Sequence, residues 1–140
     1  MIYGYDTSRK TTTKVVRLFC DGAEGQVRRL DQLDTDIQNS NVDDYFTSFG
    51  ILRGTANVYR KAPNYLHIDH AYFLAGHKHT DDSWYRVSKN SINMKGVTKH
   101  FPQDRFNTYF KQHVNIKPWS LNTKGHILVL PPTQPTAWYT

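Results

Sequence analysis

The chain has 140 residues, of which 38% are hydrophobic and 14% aromatic, so it is long and apolar enough for one folded domain and unlike a disordered tail. It has no apolar run near the roughly 18 residues that span a membrane, and its first residues lack the apolar core of a secretory signal. Its single cysteine, Cys20, excludes an intrachain disulfide and a cysteine-based zinc site. We therefore expect a cytoplasmic protein without a membrane span.

The charge is unevenly distributed along the chain. Residues 1–70 carry nine basic and nine acidic side chains, whereas residues 71–140 carry nine basic and three acidic ones. The whole net charge of +6 therefore lies in the second half, where Lys89, Lys95 and Lys99 are predicted to form a basic surface. Such asymmetry favours a phosphate-bearing partner, whether nucleic acid, nucleotide or charged sugar. The alternative is a dispersed excess that serves solubility alone.

The first elements are read from composition and spacing. Residues 1–13 are polar and predict a flexible arm. Residues 14–20, KVVRLFC, are apolar and β-branched, which predicts a buried strand. Apolar residues then recur at spacings of three and four, which is typical of a helix: Val27, Leu30, Leu33 and Ile37.

The remaining elements alternate between strand and helix. Strands are predicted at 44–50, 65–73 and 126–130, and helices at 56–62 and 103–112. Residues 84–90 are expected to be either a further strand or the approach to one. This alternation favours an α/β fold. We expect one Rossmann-like domain over residues 14–140, with a mostly parallel sheet and helices on both faces.

The segment FGILRGT, residues 49–55, carries the first candidate site. Gly50 and Gly54 would let the backbone approach a ligand, and the N–H groups of a helix that begins near Thr55 would favour an anion. Arg53 could then bind a phosphate or a carboxylate. The spacing fits neither the dinucleotide fingerprint nor the P-loop, so a plain turn capped by Thr55 is the alternative. Its position favours a site, because ligands of open α/β sheets bind beyond the carboxyl ends of the strands.

Asp69 and His70 carry the second candidate site, near the end of a predicted strand. Alternation places His67 and Asp69 on one face and His70 on the other, so His67 and His70 are not expected to bind one ion together. An aspartate that orients a histidine makes the imidazole a usable base. We therefore predict His70, supported by Asp69, as the catalytic pair.

Two further histidines, His77 and His79, follow in the polar stretch AGHKHTDD. Such a pair beside carboxylates can bind a divalent metal, but histidines at this spacing in a loop are more commonly solvated. We expect both to be surface residues and predict no resident metal. A metal-dependent nuclease, suggested by Asp69 and His70 followed by Asn90 and Asn93, is the weakest of the functional alternatives.

The order of several motifs resembles a known group of proteins. FGILRGT, a helix, YLHIDHAYF, YRVSKN and HILVLPPTQPTAWY, within residues 44–140, are similar to segments of phage-encoded glycosyltransferase-like proteins related to capsule-polysaccharide (Kdo) transferases. Such enzymes have two Rossmann-like lobes with the active site in the cleft between them. The resemblance implies that this chain corresponds to the first, acceptor-facing lobe, and that the nucleotide-sugar donor is held mainly by a second lobe.

The resemblance also implies roles for individual residues. It places a cleft-facing turn after one strand, a polar cluster at the end of the next strand, and a loop opposite them. The implied ligand-binding residues, in that order, are Gly50, Arg53, Gly54 and Thr55; Asp69, His70 and Tyr72; and Arg86 and Asn90.

The leading hypothesis is a glycosyltransferase-like lobe that binds a phosphate- or carboxylate-bearing ligand, a nucleotide-sugar or an anionic glycan, at the strand ends. The first alternative is a non-catalytic basic protein of a phage that binds nucleic acid or an acidic host protein. A metal-dependent nuclease is the third. For the leading hypothesis the partners left open are a second lobe or a second copy of the chain.

Overall fold

The structure, a computed structural model, describes residues 1–7, 9–71, 83–92, 104, 106–113, 115 and 118. Its centre is a five-stranded sheet with the order β2-β1-β3-β4-β5. The first four strands are parallel, and β5 runs antiparallel to β4. The strands are β1 Ile2–Asp6, β2 Gln26–Arg29, β3 Tyr45–Phe49, β4 Tyr65–His70 and β5 Tyr85–Lys89.

Three α-helices and several shorter turns connect or follow the strands. The α-helices are α1 Lys10–Gly22, α2 Leu33–Gln38 and α3 Ala56–Lys61. A 3-10 turn, Leu30–Gln32, precedes α2, and a π-helical turn, Phe106–Phe110, continues into a 3-10 turn, Lys111–His113. No helix in these ranges is both long and apolar enough to cross a membrane.

One face of the sheet carries the main hydrophobic core. Tyr5 and Phe46 point to this face and are fully buried, with their rings stacked at 6.3 Å. Leu33 of α2 and Val58 and Tyr59 of α3 pack against them. Burial of each large side chain contributes about 1.5–3 kcal/mol, so this layer holds α2 and α3 against the sheet.

Helix α1 covers the other face, and Gly4 of β1 permits its close approach. An added Cβ at Gly4 would overlap Cys20 Sγ and lie 2.8 Å from Val16 Cγ1. Val16 and Cys20 are themselves fully buried. Helices therefore lie on both faces of the sheet, as the sequence predicts.

Two expectations for the amino-terminal region are wrong. Residues 1–13 are not a flexible arm, because Ile2–Asp6 is an interior strand that pairs with both β2 and β3. Residues 14–20 are not a strand, because they lie within α1. The apolar residues there recur as adjacent pairs four positions apart, Val15–Val16 and Phe19–Cys20, which forms one helical face despite the β-branched composition.

The predicted helix over Val27, Leu30, Leu33 and Ile37 is divided among three elements. Val27 lies in β2, Leu30 begins the 3-10 turn, and the other two lie in α2. The last three residues do face the core. The spacing therefore identified three core-facing side chains correctly, but the predicted helix is too long and its first residue, Val27, is exposed.

The expectations for the second half are largely confirmed within the described residues. The strands predicted at 44–50, 65–73 and 84–90 correspond to β3, β4 and β5, and the helix at 56–62 corresponds to α3. The helix predicted at 103–112 overlaps the π-helical turn. The strand predicted at 126–130 lies outside the described residues. The sheet is mostly parallel and the fold is α/β, but its strand order differs from the usual Rossmann order 3-2-1-4-5-6.

The contact at Gly4 gives the first prediction. Gly4→Ala should lower the free energy of unfolding by about 1–3 kcal/mol, because α1 must move away from β1 to accommodate the methyl group. Gly22→Ala, at the open end of the same helix, meets nothing within 4 Å and should leave stability unchanged or slightly raised. Urea unfolding of both variants measures the difference. Equal effects of the two substitutions would contradict the close contact.

Candidate functional site

A cavity lies at the carboxyl ends of the parallel strands. The chain leaves β1 toward β2 on one side and later returns to β3 on the other side. The connections after β1 and β3 therefore diverge and leave a crevice between them, which is where open α/β sheets bind ligands. A cavity of about 330 Å³ occupies this position. We call it the strand-end cavity.

Three parts of the chain form its wall. The β1–α1 connection contributes the first, the turn after β3 the second, and the ends of β4 and β5 the third. In that order the lining residues are Thr7, Arg9 and Thr12; Phe49, Gly50, Ile51, Leu52 and Arg53; and His67, Asp69, His70, Arg86 and Ile92.

Five of the predicted site residues meet at this cavity, namely Gly50, Arg53, Asp69, His70 and Arg86. They come from three strands or the connections that follow them. The rule that ligands of open α/β sheets bind at strand ends therefore predicts most of this group. The residues Gly54 and Thr55 do not line it, and Asn90 lies elsewhere. Tyr72 lies outside the described residues.

The turn after β3 has an unusual backbone that is held by buried contacts. Gly50, Arg53 and Gly54 have φ angles of +65°, +59° and +87°. The Thr55 hydroxyl, which is fully buried, lies 3.0 Å from the carbonyl oxygen of Gly50 and 2.7 Å from that of Leu52. Thr55 thus stabilises the turn and is not exposed to a ligand. Arg53 is a non-glycine residue in the left-handed region, at a cost of about 1–2 kcal/mol.

The side chain of Arg53 is exposed at the rim of the cavity. Within the described part of the chain, its guanidinium group has no hydrogen bond or ion pair. The backbone that presents it is therefore strained and fixed, while the charged group itself is available to an anion.

Asp69 and Arg86 form an ion pair across β4 and β5. Asp69 Oδ2 lies 3.2 Å from Arg86 Nη2, and Arg86 Nη1 donates to the carbonyl oxygen of Ile92 at 3.2 Å. The side chain of Arg86 is only 16% exposed. These contacts orient both charged groups at the inner wall of the cavity.

Asp69 contacts the backbone of His70 and not its imidazole, which differs from the expected pair. Asp69 Oδ1 accepts a hydrogen bond from the backbone N–H of His70 at 2.8 Å. The His70 ring packs edge-on against Phe49, with centroids 5.1 Å apart, and lies 5.8 Å from the Tyr85 ring. Alternation along β4 explains this arrangement, because the side chains of neighbouring residues point to opposite faces of the sheet.

Arg9 and His67 are the two charged or titratable residues of this cavity that the sequence analysis did not assign to a site. Arg9 was missed because residues 1–13 were expected to be a flexible arm, whereas His67 lies within a correctly predicted strand. His67 is 1% exposed, lines the cavity, and neither ring nitrogen has a hydrogen-bond partner among the described residues. Its ring packs edge-on against Tyr59 at 5.0 Å. Burial, opposed by Asp69 and reinforced by Arg86, lowers the pKa of His67 to about 4. The imidazole is therefore neutral at pH 7, with one nitrogen that donates and one that accepts.

Alternation along β4 already placed His67 on the face of Asp69, and this was the signal that could have found it. The sequence does not show that a polar ring at this position lies beneath an open crevice. That depends on where β1 and β3 end relative to β4.

Two other predicted residues, Lys89 and Asn90 at the carboxyl end of β5, lie at the opposite end of the sheet from the cavity. Asn90 Oδ1 accepts a hydrogen bond from the backbone N–H of Tyr65 at 2.7 Å, and Lys89 Nζ lies 4.8 Å from the centroid of the Tyr45 ring. Because β5 is antiparallel, its carboxyl end reaches the amino ends of β3 and β4. Asn90 is therefore remote from the strand-end cavity.

The remaining predicted residues, Lys95, Lys99, His77 and His79, lie outside the described residues. The basic surface and the solvated histidines stay predictions. Among the residues that the structure does describe, no three His, Cys, Asp or Glu side chains are grouped as metal ligands.

A second, more open depression of about 580 Å³ runs along α1 beside Asp6, Lys10 and Arg17. It is larger than the strand-end cavity, but it is a shallow surface feature. Its charged groups partly pair with each other, since Arg17 Nη2 lies 3.8 Å from Asp6 Oδ2. The strand-end cavity is the better candidate because it combines a crevice between strand ends, unpaired cations and a buried polar ring.

The chain matches no protein-family model, no curated protein and no solved structure. The chemistry of the strand-end cavity is therefore inferred from its own residues. Arg9, Arg53 and Arg86 outweigh the single carboxylate of Asp69 and give the wall a net positive charge. Such a wall favours an anionic ligand, and the neutral His67 adds a polar contact at depth.

The pKa of His67 gives the second prediction. Below pH 6.5 an unfolded chain protonates this histidine, whereas the folded protein does so only near pH 4. The free energy of unfolding should therefore fall as the pH is lowered from 6.5 to 4, by about 3 kcal/mol from this residue alone. His67→Phe keeps the contact with Tyr59 and should lose that part of the pH dependence.

Chemical denaturation at several pH values, for the wild type and the variant, measures this effect as a difference between the two curves. Subtraction removes the contribution of the carboxylates and of the other histidines. His113→Phe, at an exposed position, controls for loss of an imidazole. Parallel curves for wild type and His67→Phe would show that His67 is not held neutral by burial.

Proposed function

We propose that this domain binds a small ligand bearing a phosphate or a carboxylate in the strand-end cavity. The observation that carries the proposal is the pair of arginines at the mouth of the cavity. Arg9 and Arg53 come from different connections and line the same crevice, both are exposed, and neither guanidinium has an ion-pair or hydrogen-bond partner in the described ranges. A doubly charged ligand group between them would form charge-assisted hydrogen bonds with both.

The amino end of α1 supports the same ligand class. This helix has 13 residues, no acidic residue in its first turn and no side-chain cap among the described residues. The first backbone N–H groups of a helix lack internal acceptors and carry a partial positive charge. Arg9 precedes the helix, so the guanidinium and the free N–H groups belong to one anion-binding end.

The connection that leads into α1 is ordered by its own hydroxyl groups. Thr12 Oγ1 donates to the carbonyl oxygen of Arg9 at 2.9 Å and lies 2.8 Å from Thr7 Oγ1. Because Thr12 has one hydroxyl proton, Thr7 is the donor in the second bond. These contacts fix the backbone of Arg9 at the edge of the cavity, which reduces the entropy that ordering would cost on binding.

The strained backbone of Arg53 is the third support. Unfavourable conformations of this kind persist where the surrounding structure enforces them, and they cluster at ligand sites. Here the hydrogen bonds of the buried Thr55 hydroxyl to the carbonyl oxygens of Gly50 and Leu52 enforce the turn. A glycine would fit position 53 with less strain, so the presence of an arginine there is consistent with a role for its charge.

The resemblance to phage-encoded glycosyltransferase-like proteins extends this proposal to a specific reaction. Under this extended proposal, the sheet is a variant of a Rossmann-like lobe. The bound ligand is then the phosphate part of a nucleotide-sugar or an anionic glycan acceptor. Asp69 and His70 are the proposed acid–base residues, and transfer requires the second lobe that the resemblance implies. The binding proposal rests on the cavity and stands apart from this extension.

Arg53 provides the third prediction. Arg53→Gly should weaken the binding of inorganic pyrophosphate by about 10–100-fold, since a hydrogen-bonded charge contributes about 1.5–3 kcal/mol. The same change should leave stability unchanged or raise it by up to about 1 kcal/mol, because glycine adopts a positive φ without strain. Isothermal titration calorimetry measures the affinity, and urea unfolding measures the stability.

Two matched controls separate strain from charge. Glu24→Gly relieves a similar φ of +52° at an exposed position away from the cavity and should not weaken pyrophosphate binding. Arg60→Ala removes a positive charge from the exposed side of α3 and should have little effect on binding. Failure of the wild type to bind pyrophosphate, or equal affinity of wild type and Arg53→Gly, would refute the proposal. Salt-sensitive binding of an oligonucleotide that Arg53→Gly leaves intact would favour the basic-surface hypothesis instead.

A further inference from the structure

His67 differs from the fully buried polar side chains next to it in the sheet. Its neighbours in the described residues satisfy their polar atoms internally: Thr47 Oγ1 donates to the carbonyl oxygen of Leu66 at 2.7 Å, and Ser48 Oγ to that of Tyr5 at 2.7 Å. His67, at 1% exposure, has two ring nitrogens without such a partner. An unsatisfied buried polar group is unfavourable, so such groups call for an explanation.

Packing alone does not require an imidazole at this position. The ring of His67 meets the edge of Tyr59, whose hydroxyl donates to the backbone of Ser48 and not to the histidine. A phenylalanine would reproduce the ring contact and would leave no nitrogen unsatisfied. The nitrogens are therefore the feature that packing leaves unexplained, and His67 is one of the residues that line the strand-end cavity.

The surroundings of His67 determine what it can bind. Burial and the positive charge of Arg86 keep the ring neutral, although Asp69 opposes them. A neutral imidazole offers one donor and one acceptor, and the Asp69 carboxylate beside it adds acceptors only. A hydroxyl group, which donates and accepts, complements both residues, whereas a second anion would be repelled by Asp69.

The positive and neutral parts of the cavity are contributed by different elements. Arg9, Arg53 and the start of α1 form the rim, and His67 and Asp69 belong to β4 below it. The volume of about 330 Å³ is at the small end of the range for ligand sites. One sugar-sized ring and one phosphate would fill such a space, whereas a dinucleotide would not enter it.

We propose that His67 and Asp69 bind a hydroxyl group of the ligand whose anionic end lies between Arg9 and Arg53, so that the cavity selects small hydroxylated phosphates over phosphates with a plain alkyl group. This inference rests on the proposed anion binding and adds the substrate class and a specificity-determining residue. His67 contributes recognition of the uncharged part of the ligand and does not contribute to capture of the phosphate.

The fourth prediction compares two probes of equal charge, ribose 5-phosphate and n-pentyl phosphate, by isothermal titration calorimetry on the full chain at pH 7.5. The wild type should bind ribose 5-phosphate at least about tenfold more tightly, as expected for sites built to hydrogen-bond a hydroxyl group. His67→Phe should abolish that preference and leave the affinity for n-pentyl phosphate unchanged. Arg53→Gly should weaken both probes and keep the preference.

The outcomes separate the two proposals. If neither probe nor pyrophosphate binds, the proposed function fails and this inference fails with it. If both probes bind equally to the wild type, or if His67→Phe retains the preference, anion binding stands and the role of His67 is refuted.

A measurement on the wild type covers the case in which His67→Phe does not fold. In protein labelled with ¹⁵N at its seven histidines, one neutral buried ring should respond to ribose 5-phosphate and not to n-pentyl phosphate. An equal response to both probes, or no response to ribose 5-phosphate when it binds, would overturn the inference.

Discussion

The close contact between α1 and β1 at Gly4 is the constraint on which the rest of the structure depends. No side chain stands between strand and helix at this point, so Cys20 and Val16 of α1 pack directly on the backbone of β1. Tyr5, the next residue, points to the other face and anchors α2 and α3 through the aromatic core. One glycine followed by one tyrosine thus joins both layers of helices to an interior strand.

This contact also positions the candidate site. Because α1 lies directly over β1, its amino end stands beside the carboxyl end of that strand, next to the turn that follows β3. The two connections diverge on either side of the sheet, and the crevice between them is closed below by β4. Strand order and helix placement therefore determine where the cavity lies, and the side chains that line it determine its chemistry.

The chemistry of the cavity changes with depth. At the rim, exposed cations keep most of their hydration until a ligand arrives, so they attract anions at little cost to the folded state. At the inner wall, Asp69 and Arg86 neutralise each other and are held by backbone contacts, while His67 stays uncharged through burial. A cavity with cations at its rim and uncharged polar groups at its inner wall would bind the anionic end of a ligand at the rim and an uncharged polar end at the inner wall. The strained backbone of Arg53 and the unsatisfied nitrogens of His67 are two unfavourable features that the described residues bring together at this cavity.

The sequence by itself determined the elements whose signals are local. Alternation, aromatic and β-branched content, and the proline after α3 predict four elements, namely β3, β4, β5 and α3. The rule that ligands bind beyond strand ends then predicted that Gly50, Arg53 and Asp69 belong to one site.

Only the tertiary structure decided the rest. From its sequence β1 resembles a polar arm, because the role of Gly4 depends on a tertiary contact with α1 that the sequence does not show. Residues 14–20 resemble a strand because valine has a high β propensity, which the burial of one helical face overrides here. His67 and His70 are the same residue type in one strand, and both line the cavity. The sheet places His67 on the side of Asp69 and His70 on the opposite side, against Phe49, because neighbouring side chains of a strand alternate between its two faces.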